Sequence, residues 1–223
     1  MDKNWQTGSW LLLDAAGPGT VFGLVQDGEW LSSLISDEPF LEGCQTAVEG
    51  LLRDHKLELN KLSGVLYASG PGSTLGLRLA AMFIRSLMQL PELQHWRCAQ
   101  YNNLELAAAS LIEEAESFPV QAAAPWRRDR VHRVLIHDPS ANEIESGFLQ
   151  PDDLEKAKTT LFSLGNRAAN RPMLEDIRPY PAEEIPLILK RYPRLLAYTG
   201  EPIPYSAETP EFARWSSKRH SAK

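Results

Sequence analysis

The stretch Gly64-Val65-Leu66-Tyr67-Ala68-Ser69-Gly70-Pro71-Gly72-Ser73-Thr74-Leu75-Gly76-Leu77-Arg78 decides the fold of this chain. Its first part favours a buried strand, because aliphatic, β-branched and aromatic side chains fit a pleated surface. Its last part begins an apolar run with helical character that continues to about Leu90. The stretch therefore predicts a strand, a tight turn and a helix, which is the basic unit of an α/β protein.

The turn inside this stretch consists of Gly70, Pro71, Gly72 and Ser73, and we call it the glycine turn. The glycines allow a path on which a side chain would clash, and the proline fixes φ between them. Ser73 is a suitable N-cap for the helix. Such a turn directs backbone N–H groups outwards, which suits an anion or an acidic group of a partner. Taken alone, the local chemistry favours the simpler interpretation, a tight strand-to-helix connection.

The composition of the 223 residues limits the function. A formal net charge of −6 makes this chain a poor candidate for gripping a phosphate backbone by itself, so a nucleic-acid role would run through a partner. Cys44 and Cys98 form no CxxC pair, and two isolated thiols without a recognisable targeting pattern suit a reducing cytosol. We expect a cytoplasmic protein, with no apolar run long enough to cross a membrane.

The first half of the chain predicts three strands, a helix, a strand and two more helices. Asp27-Gly28 is a hairpin signal between the second and third strands, so the three form an antiparallel meander. Apolar residues recur at helical spacing after the meander and again after the glycine turn. In order, we expect strands over 10–14, 20–25 and 29–35, a helix over 41–57, a strand over 64–69, and helices over about 73–90 and 102–116.

From Phe118 the pattern restarts, which predicts a second, smaller unit. The chain then divides into residues 1–117 and residues 118–223. In the second unit we expect strands over 119–124, 131–137 and 143–149, helices over 152–162 and 182–192, and a proline-rich extended wrap that ends in a frayed basic tail.

Seven positions resemble the GPGSFTGLR signature of the TsaB family, also called YeaZ: Gly70, Pro71, Gly72, Ser73, Gly76, Leu77 and Arg78. Thr74 and Leu75 depart from it, where the family has Phe and Thr. The resemblance implies two ribonuclease-H-like lobes of the actin, sugar-kinase and Hsp70 superfamily, an α/β fold of mixed sheets flanked by helices. It also implies a role, since TsaB is the non-catalytic partner of TsaD in making the threonylcarbamoyl modification of adenosine 37 in tRNA (t6A).

The helix after the glycine turn is apolar over most of its circumference, which predicts cover on more than one side, either by the second unit or by a partner helix. The resemblance implies that this helix and the one before it form a face used for homodimers and for pairing with TsaD. The preceding helix lacks the family's His-Thr near its start and has the segment 39–44 instead. The partner-binding residues we expect are Arg78, Leu79, Met82, Phe83 and Leu87.

Asp14 ends the first strand, where the superfamily carries an acidic residue that approaches phosphate and its magnesium. TsaB members have a hydroxyl residue next to it, whereas this chain has Ala15 and Ala16, which donate and accept no hydrogen bond through their side chains. A strand-ending aspartate that caps a turn is the favoured interpretation. We therefore expect no cofactor, and keep ATP or ADP with magnesium at a lobe interface, contacted by Asp14, as an alternative.

The residue pattern predicts no catalytic residue and no metal site. The catalytic relative TsaD carries a His-x-x-x-His motif, whereas His132 and His137 are five positions apart here. No GxSxG turn is present, and Cys44 falls on the apolar face of a helix, where an inert thiol is usual.

A basic cluster near the second hairpin admits two interpretations. Trp126, Arg127, Arg128, Arg130 and Arg133 suit RNA contact through stacking and phosphate pairing. A solvated hairpin tip is favoured because the chain as a whole is acidic. Arg127 aligns with an arginine of the family, although the family's aspartate two positions earlier is Pro125 here.

Three functional hypotheses follow. The leading one is a non-catalytic scaffold that pairs with a TsaD-type catalytic subunit, with a TsaE-type ATPase as a further partner, a homodimer in isolation, and tRNA contacted only indirectly. The second is a nucleotide-binding ATPase or kinase of the same superfamily. The third is a homodimer with no role in tRNA.

Overall fold

Two mixed β-sheets organise the chain in the computed structural model, which describes residues 5–17, 19–127, 130–150, 153, 160–162, 164 and 177–204. The first sheet has six strands in the order β11-β5-β4-β1-β2-β3, and the second has five in the order β10-β9-β6-β7-β8. The expected α/β class, with mixed sheets flanked by helices, is confirmed. None of the helices in these residues is long and apolar enough to cross a bilayer.

The first sheet begins with the predicted antiparallel meander. Its turn at Asp27 and Gly28 has positive φ at both residues (52° and 79°), the backbone form that a two-residue hairpin favours. β4 and then β5 join in parallel, β4 pairing with β1 so that Leu11 lies opposite Val65. The strands are β1 (Ser9–Asp14), β2 (Thr20–Gln26), β3 (Glu29–Ser36), β4 (Gly64–Gly70), β5 (Arg97–Asn102) and β11 (Leu196–Thr199).

Helices cover both faces of this sheet. α1 (Phe40–Asp54) and α2 (Thr74–Met88) pack on the face that carries Leu11 and Leu13 of β1. α3 (Asn103–Ala109) and α4 (Ile185–Arg191) pack on the opposite face, in one core with residues of the second sheet. The two sheets therefore share a core, with α3 packed against strands of both.

The second sheet is built from a short meander and two brief parallel additions. β6 (Val120–Arg127), β7 (Arg130–Ile136) and β8 (Ile144–Leu149) pair antiparallel, as predicted. β9 (Thr160–Phe162) runs parallel to β6, and β10 (Ile177–Arg178) runs parallel to β9.

The structure corrects four sequence-based expectations. β5 had no predicted counterpart, because its sequence mixes Arg97 and Gln100 with buried residues. Residues 160–162 form strand β9 rather than the end of a helix over 152–162, whose residues 154–159 lie outside the described part of the chain. The predicted helix over 102–116 is a seven-residue helix followed by a short 3-10 turn, Ile112–Glu114.

The fourth correction concerns the extended wrap expected after the last helix. Leu196–Thr199 pairs antiparallel with β5, so the chain returns to the first sheet after α4. The expected extended wrap over the tail is thus partly a strand, and residues 205–223 lie outside the described residues. The boundary at residue 117 stays a prediction.

Candidate functional site

Asp14 lies at the end of β1 and has an exposed fraction of 1%. Its Oδ1 accepts a hydrogen bond from the backbone amide of Ala16 at 2.9 Å. Its Oδ2 accepts three more, from the hydroxyls of Tyr101 and Tyr180 at 2.9 Å each and from the side-chain amide of Asn103 at 2.8 Å. We call Asp14, Tyr101, Asn103 and Tyr180 the Asp14 cluster.

Burial and hydrogen bonding act on this carboxylate in opposite directions. Burial raises the pKa of Asp14 above its usual value, because a charge is costly away from water, and the four hydrogen bonds oppose that shift. Burial beside Asp14 also raises the pKa of Tyr101 and of Tyr180 well above the usual value. Both hydroxyls therefore remain protonated and act as donors.

The glycine turn packs directly on the residues that follow Asp14. The backbone amide of Ser73 donates to the carbonyl of Ala16 at 2.9 Å. A Cβ at Gly72 would lie 2.4 Å from that carbonyl oxygen, and one at Gly76 would lie 2.5 Å from the carbonyl oxygen of Ala15. These two positions need glycine, since the turn and α2 approach the backbone of residues 15–16 too closely for a side chain.

The amides of the turn are largely directed at protein atoms. The amide of Gly70, whose φ of 124° favours glycine, donates to Oδ1 of Asn103 at 3.2 Å. The amide of Gly76 donates to the hydroxyl of Ser73, which caps α2 as predicted. The turn therefore anchors the start of α2 to the end of β1.

The residues present do not fit the phosphate and magnesium that the superfamily resemblance assigns to Asp14. Its carboxylate accepts four hydrogen bonds from protein groups, and neither Ala15 nor Ala16 offers a hydroxyl. The structure gives Asp14 the turn-capping role that the sequence favoured, and adds a contact to Tyr180, far along the chain.

α2 presents a second, different feature, an open apolar surface. Leu75 and Met82 are 68% and 60% exposed, and Leu41 on the neighbouring α1 is 64% exposed. Arg78 is exposed, and Leu79, one position further on, is half-buried. Residues spaced three, four and seven apart share one side of a helix. We call the surface formed by these five residues the helical face.

The five predicted partner-binding residues differ in how far their side chains are exposed. Arg78 and Met82 are exposed, whereas Leu79, Phe83 and Leu87 are half-buried against the core beneath α1 and α2. The ring of Phe83 contacts that of Phe40 edge-on, with centroids 6.0 Å apart. Phe83 therefore also packs in the core, so a charge at this position should affect the fold as well as association.

The side of α2 opposite the helical face explains why the helix is apolar over most of its circumference. Leu77, Ala80, Ala81 and Ile84 are buried against the chain's own first sheet and neighbouring elements. One face of α2 is therefore covered within the chain, and the helical face is the side that remains.

The other candidate residues form no assembled site. In the part of the chain that the structure describes, no group of three or more His, Cys, Asp or Glu side chains is placed to hold a metal ion. Cys44 and Cys98 are buried, and burial raises the pKa of Cys98 to about 12, so this thiol stays protonated. His132 is buried and stacks on Phe148.

The basic cluster is only partly described. Arg133 pairs with Glu145 at 3.3 Å. The side chains of Trp126 and Arg127 and all of Arg128 lie outside the described residues, so RNA contact at this hairpin stays a hypothesis.

Sequence reasoning missed Tyr101, Asn103 and Tyr180, the three partners of Asp14. They lie 87, 89 and 166 positions from it, so no local spacing joins them. One signal was present: Asn103 is a polar residue at the start of a mostly apolar helix, where a buried amide requires hydrogen-bond partners.

Part of the chain is similar to a known protein family. A family model described as TsaD, tRNA N6-adenosine threonylcarbamoyltransferase, matches residues 35–125, somewhat less than half of the chain. No curated protein sequence matches.

Two solved structures from Pseudomonas aeruginosa share the fold. One is described as YeaZ and is 18% identical, with a TM-score of 0.63 over 90% of this chain and 100% of that chain. The other is described as an uncharacterized protein with similarity to the peptidase YeaZ and is 16% identical, with the same TM-score over 91% of this chain and 100% of that chain. The chain therefore shares the fold of these two YeaZ-type structures, and the resemblance is confirmed at the level of the fold.

Proposed function

We propose that this chain is a non-catalytic subunit that pairs through its helical face with a TsaD-type catalytic protein in forming t6A in tRNA. The observation that carries the proposal is the exposure of Leu41, Leu75 and Met82 on adjacent helices. Three large apolar side chains exposed on two helices that contact each other favour a protein partner over solvent.

The family match supports the location of this surface. Residues 35–125 include α1, the glycine turn and α2, which together carry the whole helical face. The description of the matching family names a threonylcarbamoyltransferase of tRNA adenosine. A shared ancestry of this segment with the catalytic protein is the reason to place the chain beside that reaction.

The contacts of the Asp14 cluster favour a non-catalytic role for this chain over a catalytic one. The carboxylate that the superfamily places near phosphate is buried here and hydrogen-bonded to two tyrosines and an asparagine. A nucleotide-binding function would require these contacts to break first. We therefore place the chemistry of the reaction in the partner.

The helical face offers the partner an apolar centre with one cation beside it. Burying Leu75 and Met82 would each favour association by roughly 1–2 kcal/mol, because most of each side chain is exposed in the free chain. Arg78 lies one turn from both and is suited to an acidic group of the partner. The partner surface we expect is apolar with a carboxylate at its edge.

The experiment is light scattering behind size-exclusion chromatography, on this chain alone and mixed with the TsaD-type protein of the same cell. We expect a peak with the mass of a mixed complex. A homodimer that persists in the mixture would contradict the proposal and favour a second copy as the occupant of the helical face. Adding a TsaE-type ATPase to the mixed complex tests for the further partner.

Two matched variants locate the interface. Met82→Glu introduces a charge at the centre of the helical face on a residue that is 60% exposed, and should abolish the mixed peak. Leu187→Glu introduces the same charge on α4, where Leu187 is 52% exposed, and should leave the peak intact. Equal effects of the two changes would show that the helical face is not the interface.

A further inference from the structure

The Asp14 cluster joins three stretches of the chain that are distant in sequence, around Asp14, around residues 101–103 and at Tyr180. Asp14 ends β1, Tyr101 lies on β5, Asn103 opens α3, and Tyr180 lies just before α4. The side-chain amide of Asn103 also donates to the hydroxyl of Tyr180 at 2.9 Å. Every member of the cluster therefore contacts at least one other through a hydrogen bond, at the junction of the two sheets.

The same network continues to the start of α2. From Asp14 it passes through the amide of Ala16 to the Ala16 carbonyl, which accepts from the amide of Ser73, the N-cap of α2. A second branch passes from Asn103 to the amide of Gly70. An unbroken set of hydrogen bonds thus connects Tyr180 with the glycine turn.

We propose that the Asp14 cluster is a ligand-independent latch, in which the Tyr180 hydroxyl holds the segment before α4 against the first sheet and thereby fixes the start of α2. The carboxylate of Asp14 provides the acceptor, and the chain's own Tyr180 provides the donor.

The hydrogen bond from Tyr180 differs from the other polar contacts of the same segment because its acceptor, Asp14, is buried. The indole N–H of Trp30 donates to the carbonyl of Glu183 and Lys190 pairs with Glu29, each at 2.8 Å and each at the surface. Surface pairs of this kind contribute little because water competes for both groups. A hydrogen bond to a buried carboxyl group contributes more, and its loss leaves that group without one of its partners.

The latch has two discrete states, because the Tyr180 hydroxyl either donates to Asp14 or does not. Without that hydrogen bond, the carboxylate of Asp14 and the side-chain amide of Asn103 each lose a partner. Both groups are also connected to the glycine turn by hydrogen bonds. Opening at Tyr180 should therefore loosen the first turn of α2. One consequence rests on the proposed function: the position of the segment before α4 would affect the binding of a partner to the helical face.

Hydrogen exchange of backbone amides in the isolated chain tests the latch. Tyr180→Phe removes one hydroxyl and keeps the ring. We expect amide exchange to be about tenfold to a hundredfold faster in peptides covering 177–192 and also in peptides covering 70–80, relative to the rest of both sheets. Tyr198→Phe, on β11, is the matched control and should not change the exchange of residues 70–80.

Three results would overturn the proposal. No change in either region would show that Tyr180 holds nothing in place. Faster exchange over 177–192 alone would show that the segment is uncoupled from α2. Uniformly faster exchange across both sheets would show that the hydroxyl contributes only to the stability of the whole fold.

The coupling should also act in the reverse direction, since coupling between two sites is reciprocal. Gly72→Ala forces the glycine turn away from the Ala16 carbonyl, and should speed exchange over 177–192. If that variant does not fold, Tyr180→Phe still decides the question. Neither test uses a partner, so the absence of a mixed complex would refute the proposed function and leave the latch to be judged by exchange alone.

Discussion

The glycine turn connects the Asp14 cluster with the helical face, and the side chains of these two regions lie in opposite environments. In the cluster, a carboxyl group is buried and accepts four hydrogen bonds from the protein. On the helical face, apolar groups remain exposed, with Met82 and Leu75 both more than half accessible. The polar group of the cluster has its partners within the chain, whereas the apolar side chains of the helical face remain open to a partner.

This difference separates the two kinds of role a residue can have here. Changes in the cluster should destabilise the chain itself, because they leave buried groups without partners. Changes on the helical face should leave the chain folded and affect association. The predictions below test that separation, and they are ordered by the size of the expected effect on stability.

Asp14→Ala should have the largest effect. It removes the acceptor of two tyrosine hydroxyls and a side-chain amide in a buried site, and should lower the free energy of unfolding by about 3 kcal/mol or more. Chemical denaturation measures this directly.

Asp138→Ala is the matched control for burial. Asp138 also accepts several hydrogen bonds, from the backbone amides of Ser140, Asn142 and Glu143, but in an exposed loop. Its replacement should lower the free energy of unfolding clearly less than that of Asp14, because water can replace the lost contacts. Equal losses for the two aspartates would contradict the special weight given to the buried cluster.

His132 extends the comparison to pH. Burial lowers the pKa of His132 from 6.5 to about 4, so the folded chain binds fewer protons than the unfolded chain between these values. The contribution of His132 is therefore fully present above pH 6.5 and is lost as the pH falls towards 4, by up to about 3 kcal/mol. Denaturation of the wild type and of His132→Gln across this range should show a smaller acid loss in the variant, and parallel curves would contradict it.

Ser73→Ala tests the junction between the two regions. The hydroxyl of Ser73 caps α2 by accepting from the amide of Gly76, so its loss should lower the free energy of unfolding by about 1 kcal/mol. Ser86→Ala, within the same helix, is the control and should be neutral, because its hydroxyl only returns to the Met82 carbonyl. Thermal melts of both variants would contradict the capping role if the two shifts were equal.

Met82→Glu should have the smallest effect on stability. Its side chain is 60% exposed, and glutamate is a good helix former, so the free energy of unfolding should change by less than about 0.5 kcal/mol. A large loss in chemical denaturation would show that Met82 is part of the core, and the helical face would then no longer qualify as a surface for a partner.

The elements around the glycine turn were predictable because each carries a local signal. The meander has Asp27-Gly28, α1 and α2 have helical periodicity, and Ser73 has the chemistry of an N-cap. β5 and β11 were not predictable, because each is short and mixes polar with apolar residues at a position that only its neighbours in the sheet define. Thr160–Phe162 became a strand because it pairs with β6 and β10.

The candidate site divides in the same way. Exposure of Met82 and Arg78 followed from the spacing on α2, whereas the core contact of Phe83 depends on Phe40, a residue on another helix. The turn-capping role of Asp14 was readable from Asp14 itself, but its contact with Tyr180 depends on how the two sheets share a core. Local pattern predicts elements and faces, and contacts between distant segments require the fold.

The most direct test of the central claim is t6A formation by the TsaD-type protein of the same cell, reconstituted with its other required components, in the presence and absence of this chain. We predict that t6A forms with the wild-type chain and with Leu187→Glu, and falls to the level without the chain when Met82→Glu is used. Formation of t6A at the same rate with no added chain, or with the Met82→Glu variant, would contradict the account.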